Sequence, residues 1–151
     1  MDAKIISRIE RYCAYQERCK SEVITKMIDL GLTSNQRMGL LIRLEEEGFL
    51  NEERFVYHFV RGKFNLKKWG KNKIKAHLLA KNLPELLIDQ HLKILEDEKY
   101  LEQISSLIDQ KWERIKESNL YVKKDKIYKF LLNKGYEPDK IWGVLKTRTD
   151  T

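Results

Sequence analysis

Proline and cysteine are scarce in this 151-residue chain, with two of each. Cys13 and Cys19 stand six apart, with no CxxC and no second pair. A zinc site needs three or four converging soft ligands and a redox motif needs closer spacing, so both are read as ordinary, partly buried thiols. No apolar run is longer than four residues, far short of the ~20 that a membrane helix requires. The opening MDAKIISRIE has no charged-then-apolar signal pattern, and the expectation is a cytoplasmic protein with no membrane contact. Strand-like alternation bounded by hairpin turns is missing as well.

Catalytic signatures are also lacking. There are no paired carboxylates in an apolar setting, no Ser-His-Asp or Cys-His ordering, no glycine-rich phosphate loop and no metal signature. His58, His77 and His91 form no HxxxH or HExxH pattern, and each lies within a helical apolar pattern, so they are packing or surface histidines. Glu45, Glu46 and Glu47 are consecutive and therefore fan around a helix without converging. The expectation is a binding protein with no enzymatic activity, no cofactor and no metal.

Acid is the most informative shortage. Between Arg54 and Pro84 the chain has nine basic residues and neither Asp nor Glu. That segment carries net +9, residues 1–53 carry −2 and residues 85–151 carry 0, so the whole formal charge of +7 arises from the centre. Solvated helix faces normally mix signs, because opposite charges one turn apart attract and like charges repel. An acid-free stretch of this length points to an anionic partner. The candidate contacts are Arg61, Lys63, Lys67, Lys68, Lys71, Lys73, Lys75 and Lys81. Trp69, before a glycine, is read as packing between helices, with base stacking as its other use.

What is present is helical periodicity. Val23, Met27 and Leu30 recur at i, i+4, i+7, and Ile74 with Leu78, and Ile127 with Leu131, keep the same rhythm. Nine helices are expected, near 3–17, 21–30, 34–47, 51–66, 71–81, 85–97, 100–117, 123–134 and 138–147. Pro84 and Pro138 stand where helices begin, Asn51 and Ser21 are candidate N-caps, and Thr33 with Gln36 forms a candidate capping box.

An internal repeat underlies the pattern. A shift of 51 places Val23 on Ile74, Met27 on Leu78, Gly31 on Asn82 and Leu44 on Leu95. A further shift of 53 places Ile74 on Ile127, Leu78 on Leu131 and Asn82 on Gly135. Gly or Asn directly after the apolar run marks a left-handed helix C-cap. The expected architecture is all-α, an elongated curved array of three tandem three-helix repeats at 1–50, 51–99 and 100–151, the second of them basic. Lys20, Lys71 and Lys124 are equivalent positions, as are Glu22, Lys73 and Lys126, and Leu30, Lys81 and Lys134. Lys124 and Lys126 therefore join the candidate contacts.

Three stretches resemble the RecX family, regulators of the RecA recombinase. Arg18-Cys19-Lys20-Ser21-Glu22-Val23 is similar to the family's R-x-x-S-x-x-E-L, one residue shorter. Gly48-Phe49-Leu50-Asn51-Glu52-Glu53-Arg54-Phe55 resembles G-(F/Y)-(L/I)-(D/N)-(D/E)-x-R-(F/Y)-A, with Val56 in place of the small residue. Trp69-Gly70-Lys71-Asn72-Lys73-Ile74 through Leu78 resembles G-x-x-(K/R)-I-x-x-x-L. The resemblance covers nearly the whole chain. It implies an all-helical monomer that binds RecA filaments on single-stranded DNA and inhibits ATP hydrolysis and strand exchange. Duplex DNA is a further candidate partner. A DNA-binding regulator acting without RecA is the competing expectation, although no helix shows the Arg, Asn and Gln cluster that base reading requires.

Overall fold

The computed structural model describes residues 2–95 and 97–149. Among them are nine helices and no strand: α1 (Ala3–Tyr15), α2 (Lys20–Asp29), α3 (Ser34–Glu46), α4 (Glu52–Asn65), α5 (Lys71–Ala80), α6 (Glu85–Lys93), α7 (Asp97–Arg114), α8 (Leu120–Lys134) and α9 (Pro138–Leu145). The chain divides into two compact units. One comprises Met1–Phe59 and Leu78–Ile88, the other Val60–His77 and Asp89–Thr151.

The first unit closes over one apolar cluster. Ile9 and Cys13 of α1, Val23 and Met27 of α2, and Leu40 and Leu44 of α3 meet there, with Leu32 and Leu50 from the connections. Each fully buried aliphatic side chain contributes on the order of 1.5–3 kcal/mol relative to exposure. In the second unit α7, α8 and α9 pack on one another. Their buried side chains include Tyr100, Ile104 and Ile108 of α7, Ile127 and Leu131 of α8, and Ile141 of α9. Both cysteines are buried and free, and burial pushes their thiols above the ordinary value.

Local chemistry sets the helix ends. The Thr33 hydroxyl accepts from the Gln36 N–H at 3.3 Å and the Gln36 side chain accepts from the Thr33 N–H at 2.9 Å, which closes the capping box. The Asn51 carboxamide accepts from the Arg54 N–H at 2.9 Å at the start of α4. Gly31, Asn82 and Gly135 all adopt positive φ (82°, 64° and 100°), so all three repeat-equivalent positions end their helices in the left-handed conformation.

Several ends differ from the sequence reading. Cys19, and not Ser21, occupies the cap of α2, and its N–H donates to Glu22 Oε1 at 3.1 Å. Helix α6 stops at Lys93 and α7 starts at Asp97, where two acids occupy the first turn and favour a new helix N-terminus. Helix α8 starts at Leu120, three residues early, because Asn119 Oδ1 accepts from the Tyr121 and Val122 N–H groups at 3.0 and 3.2 Å.

A similar joint occurs in each unit, always between the start of one helix and the end of another. In the second unit the Gly70 N–H donates to Lys134 O at 2.8 Å and the Asn72 N–H to Gly135 O at 2.9 Å. The first turn of α5 thus meets the last turn of α8, and donors and acceptors that helix ends leave unmatched satisfy one another. In the first unit the Ser21 hydroxyl donates to Lys81 O at 2.9 Å, so α2 meets the end of α5 in the repeat-equivalent place.

Candidate anion-binding surface

The joint in the second unit positions the turn between α4 and α5. Tyr136, fully buried, donates its hydroxyl to Lys68 O at 2.7 Å and accepts from Gln103 Nε2 at 2.7 Å. Burial pushes the Tyr136 hydroxyl up to about 12. Lys134 Nζ donates to Lys67 O at 3.0 Å. Lys68 itself sits at φ 60°, a left-handed conformation uncommon outside glycine and asparagine. Lys67 and Lys68 are consequently held by their carbonyls while their side chains stand exposed.

Trp69, half-buried, lies among two ammonium groups and a histidine ring. Lys63 Nζ lies 4.8 Å from its ring centroid, Lys73 Nζ 4.7 Å, and the His77 ring 4.5 Å. Each such cation contact is worth about 0.5–1 kcal/mol at an exposed site and restricts where the ammonium group sits. Lys71 packs 4.9 Å from the Tyr100 ring, while its N–H donates to the Tyr100 hydroxyl at 2.9 Å. The Tyr100 hydroxyl also bonds the Glu137 carboxylate; burial first, then that bond, pushes it well above the ordinary phenol range. Burial, and secondarily the Lys140 charge, lowers Lys71.

The lysines gather into a like-charge field. Lys134 is held below its ordinary value by burial first and then by the charges of Lys73, Lys111 and Lys67. Lys111 and Lys134 both flank Phe130, at 4.1 and 5.9 Å from its ring centroid. Lys134 had appeared in the sequence only as a repeat position outside the candidate set. Lys111 gave no signal, because α7 mixes charges of both signs.

The structure separates the ten sequence candidates. Lys63, Lys67, Lys68, Lys71 and Lys73 lie on or beside the turn, and Arg61 is exposed on α4. Others are engaged internally: Lys75 with Asp89 at 2.9 Å, Lys81 with Glu22 at 3.2 Å and Lys126 with Glu117 at 3.6 Å. Burial works to raise the Glu22 carboxyl, but the Cys19 N–H and Lys81 outweigh it and hold it below the ordinary carboxylate value. Lys124 is buried and donates to Lys146 O, the cap residue of α9, at 2.9 Å. It closes a helix end beside a cleft of about 770 Å³ that Tyr128 and Trp142 also line. Arg54 bonds Glu17 Oε1 at 2.6 Å, just past the end of α1. Among the described residues no cluster of His, Cys, Asp or Glu is arranged to hold a metal, and no helix is long and apolar enough to cross a membrane.

The fold and surface define an all-α protein of tandem three-helix repeats that presents a group of lysines. Comparison with known proteins gives its family. The family model for the second three-helix domain of RecX matches residues 51–92, and that for the third matches residues 97–145. The regulatory protein RecX of Clostridium botulinum is 33% identical over 127 residues, 83% of this chain and 53% of the relative. That of Chlorobium phaeobacteroides is 28% identical over 140 residues, 93% of this chain and 90% of the relative. The chain thus spans about half the length of the first relative and most of the second. A crystal structure of regulatory protein RecX superposes with a TM-score of 0.86 at 23% identity, covering 97% of this chain and 73% of the other. The RecX structure from Lactobacillus salivarius gives 0.84 at 23% identity, covering 96% and 97%. The chain belongs to the RecX family of regulatory proteins.

Proposed function

We propose that this protein modulates the RecA recombinase, binding its filaments on single-stranded DNA and lowering ATP hydrolysis and strand exchange during recombination, DNA repair and the SOS response. Family membership supports the regulatory role. The observation that carries the partner is the like-charge field of Lys67, Lys73, Lys111 and Lys134. Such a field opposes its own assembly, and an external polyanion relieves it. Lysine suits diffuse attraction to a phosphate backbone or an acidic protein surface more than bidentate base reading. In this reading the three repeats run 1–50, 51–99 and 100–151, and the protein acts as a cytoplasmic monomer with Arg61, Lys63, Lys68 and Lys71 contributing to the same surface.

The test follows ATP hydrolysis by the cognate recombinase on single-stranded DNA as the protein is titrated in. Inhibition well below one protein per recombinase monomer is expected. Replacing Lys67, Lys73 and Lys111 together by glutamine should weaken it by tenfold or more while leaving the circular dichroism unchanged. Inhibition only when the DNA is coated, or full inhibition by the triple variant, would overturn the reading.

A further inference from the structure

The first unit holds a second cationic surface, built differently. Arg8, Arg11, Tyr12 and Tyr15 project from α1, Arg18 from the connection that follows, and Lys26 from α2. They line a cleft of about 380 Å³ whose lining contains no acid. Its volume falls at the lower end of the ~300–1,000 Å³ typical of ligand clefts. Spacing creates it. Arg8, Tyr12 and Tyr15 fall at i, i+4, i+7 of one helix and Arg11 stands one turn before Tyr15, whereas Ile9 and Cys13 turn into the core.

Tyr12 forms the back of the cleft. The Arg18 guanidinium lies 3.8 Å from its ring centroid and its Nε donates to Tyr12 O at 3.1 Å, which fixes the guanidinium plane. Lys26 Nζ lies 5.6 Å from the same ring. Arg8 and Arg11 are exposed at the rim, and Tyr15 is 82% exposed, an unusually open position for a large aromatic. Guanidinium forks bind phosphate oxygens in pairs, and an exposed aromatic face accepts an unstacked base.

We propose that this cleft is a binding site for single-stranded nucleic acid, taking one phosphodiester between Arg8, Arg11 and Arg18 and stacking the adjacent base on Tyr15. The nucleic acid is favoured over an acidic peptide by the combination: arginines alone would serve either, but an exposed ring among them adds a purpose only for a ligand with a flat base. The site is independent of the lysine field of the second unit, and its loss leaves that field intact.

The experiment measures binding of a fluorescein-labelled oligothymidylate, and of a duplex of equal length, across a salt series. Each phosphate contact contributes about 0.7 to the slope of log affinity against log salt for a single strand. Arg8→Gln with Arg11→Gln should lower that slope by roughly 0.7, the share of the one phosphodiester they hold, and weaken single-strand binding at least fivefold. Tyr15→Ser should weaken single-strand binding several-fold with the slope unchanged, and leave duplex binding alone, because paired bases are not available to stack. An unchanged slope in the arginine variant, or equal loss of single strand and duplex in Y15S, would overturn the proposal. So would displacement of the oligonucleotide from the wild-type protein by an oligoglutamate of equal charge as readily as by unlabelled oligothymidylate, which would assign the cleft to an acidic protein surface. Circular dichroism keeps these outcomes interpretable, since Arg8, Arg11 and Tyr15 are exposed and contribute little to the core.

Discussion

Gly70→Ala is a direct probe of the joint that organises the second unit. A Cβ at position 70 would stand 2.5 Å from the carbonyl carbon and oxygen of Gly135 and from the Tyr136 nitrogen, where ordinary contact begins at 3.4 Å. The obstruction is backbone, so the ends of α5 and α8 must separate by about 1 Å. That displacement would stretch the bonds of 2.8 and 2.9 Å from Gly70 and Asn72 to the α8 carbonyls beyond the ~3.2 Å limit of a useful hydrogen bond. Forced overpacking costs about 1–3 kcal/mol and each polar group left short of a partner about 1–3 kcal/mol, so with partial relaxation the loss is on the order of 3–5 kcal/mol. For a chain of this size 1 kcal/mol moves the melting temperature by roughly 2–4 °C, and the variant should melt at least about 6 °C lower.

Urea unfolding followed by circular dichroism measures this loss, and hydrogen exchange at Gly70 and Asn72 localises it. A matched control is available. Gly62 lies within α4 and a Cβ there meets nothing within 4 Å. Gly62→Ala should therefore stabilise the protein by about 0.5–1 kcal/mol through helix propensity. A Gly70→Ala protein within about 0.5 kcal/mol of wild type would refute the reasoning. A Gly62→Ala protein destabilised as much as Gly70→Ala would also refute it, because the effect would then have nothing to do with the crossing.

Other perturbations test separate parts of the structure. Tyr136 is raised to about 12 and Tyr100 is raised as well, above the ~10 of an unfolded tyrosine. Their contribution is complete below pH ~10 and is lost as pH rises towards 12, so urea midpoints should be flat from pH 7 to 9 and fall steeply above 10. Tyr136→Phe should cost about 1–2 kcal/mol and blunt that alkaline fall. Lys124→Met removes the bond to Lys146 O and should cost about 1–3 kcal/mol while leaving oligonucleotide affinity unchanged; weaker binding would return Lys124 to the contact surface. Lys68→Gly removes a charge at φ 60° and relieves about 1 kcal/mol of left-handed strain. It should unfold at higher urea yet bind a single strand with a shallower salt dependence.

Much of the fold was legible because repeats average out local noise. Gly31, Asn82 and Gly135 were assigned as helix caps from their place after an apolar run, and all three have positive φ. The N-cap of α2 was misplaced because Cys19 is a weak polar residue by propensity, and Ser21 is instead drawn to Lys81 O sixty residues away. The candidate lysines were only partly legible. Counting charge along the chain finds an acid-free window, but Lys81 finds Glu22 and Lys75 finds Asp89, both acids outside that window. The reverse failure hid the first-unit cleft. Residues 1–53 are net negative, yet one face of α1 carries Arg8 and Arg11 while Glu10 and Glu17 lie off it. A segment sum discards the face, and the face is what a ligand meets.

The kind of acceptor decides which lysines remain available to a partner. In the first unit Lys20 pairs with Glu45 and Lys81 with Glu22, so those charges are cancelled where they stand. Around the second-unit turn the ordering contacts of three lysines are a carbonyl and rings: Lys134 on Lys67 O, Lys73 on Trp69, Lys111 on Phe130. A carbonyl or an aromatic face satisfies an ammonium group without neutralising it, because neither carries net charge. The side chains are therefore positioned and the field persists; burial first, and then the charges of Lys73, Lys111 and Lys67, lower Lys134. A surface meant only for solubility would need no such positioning, since solvated lysines repel less when mobile. In the proposed reading these cations meet a polyanion, and introducing a carboxylate among them, as in Trp69→Glu, should abolish binding more completely than removing any one lysine.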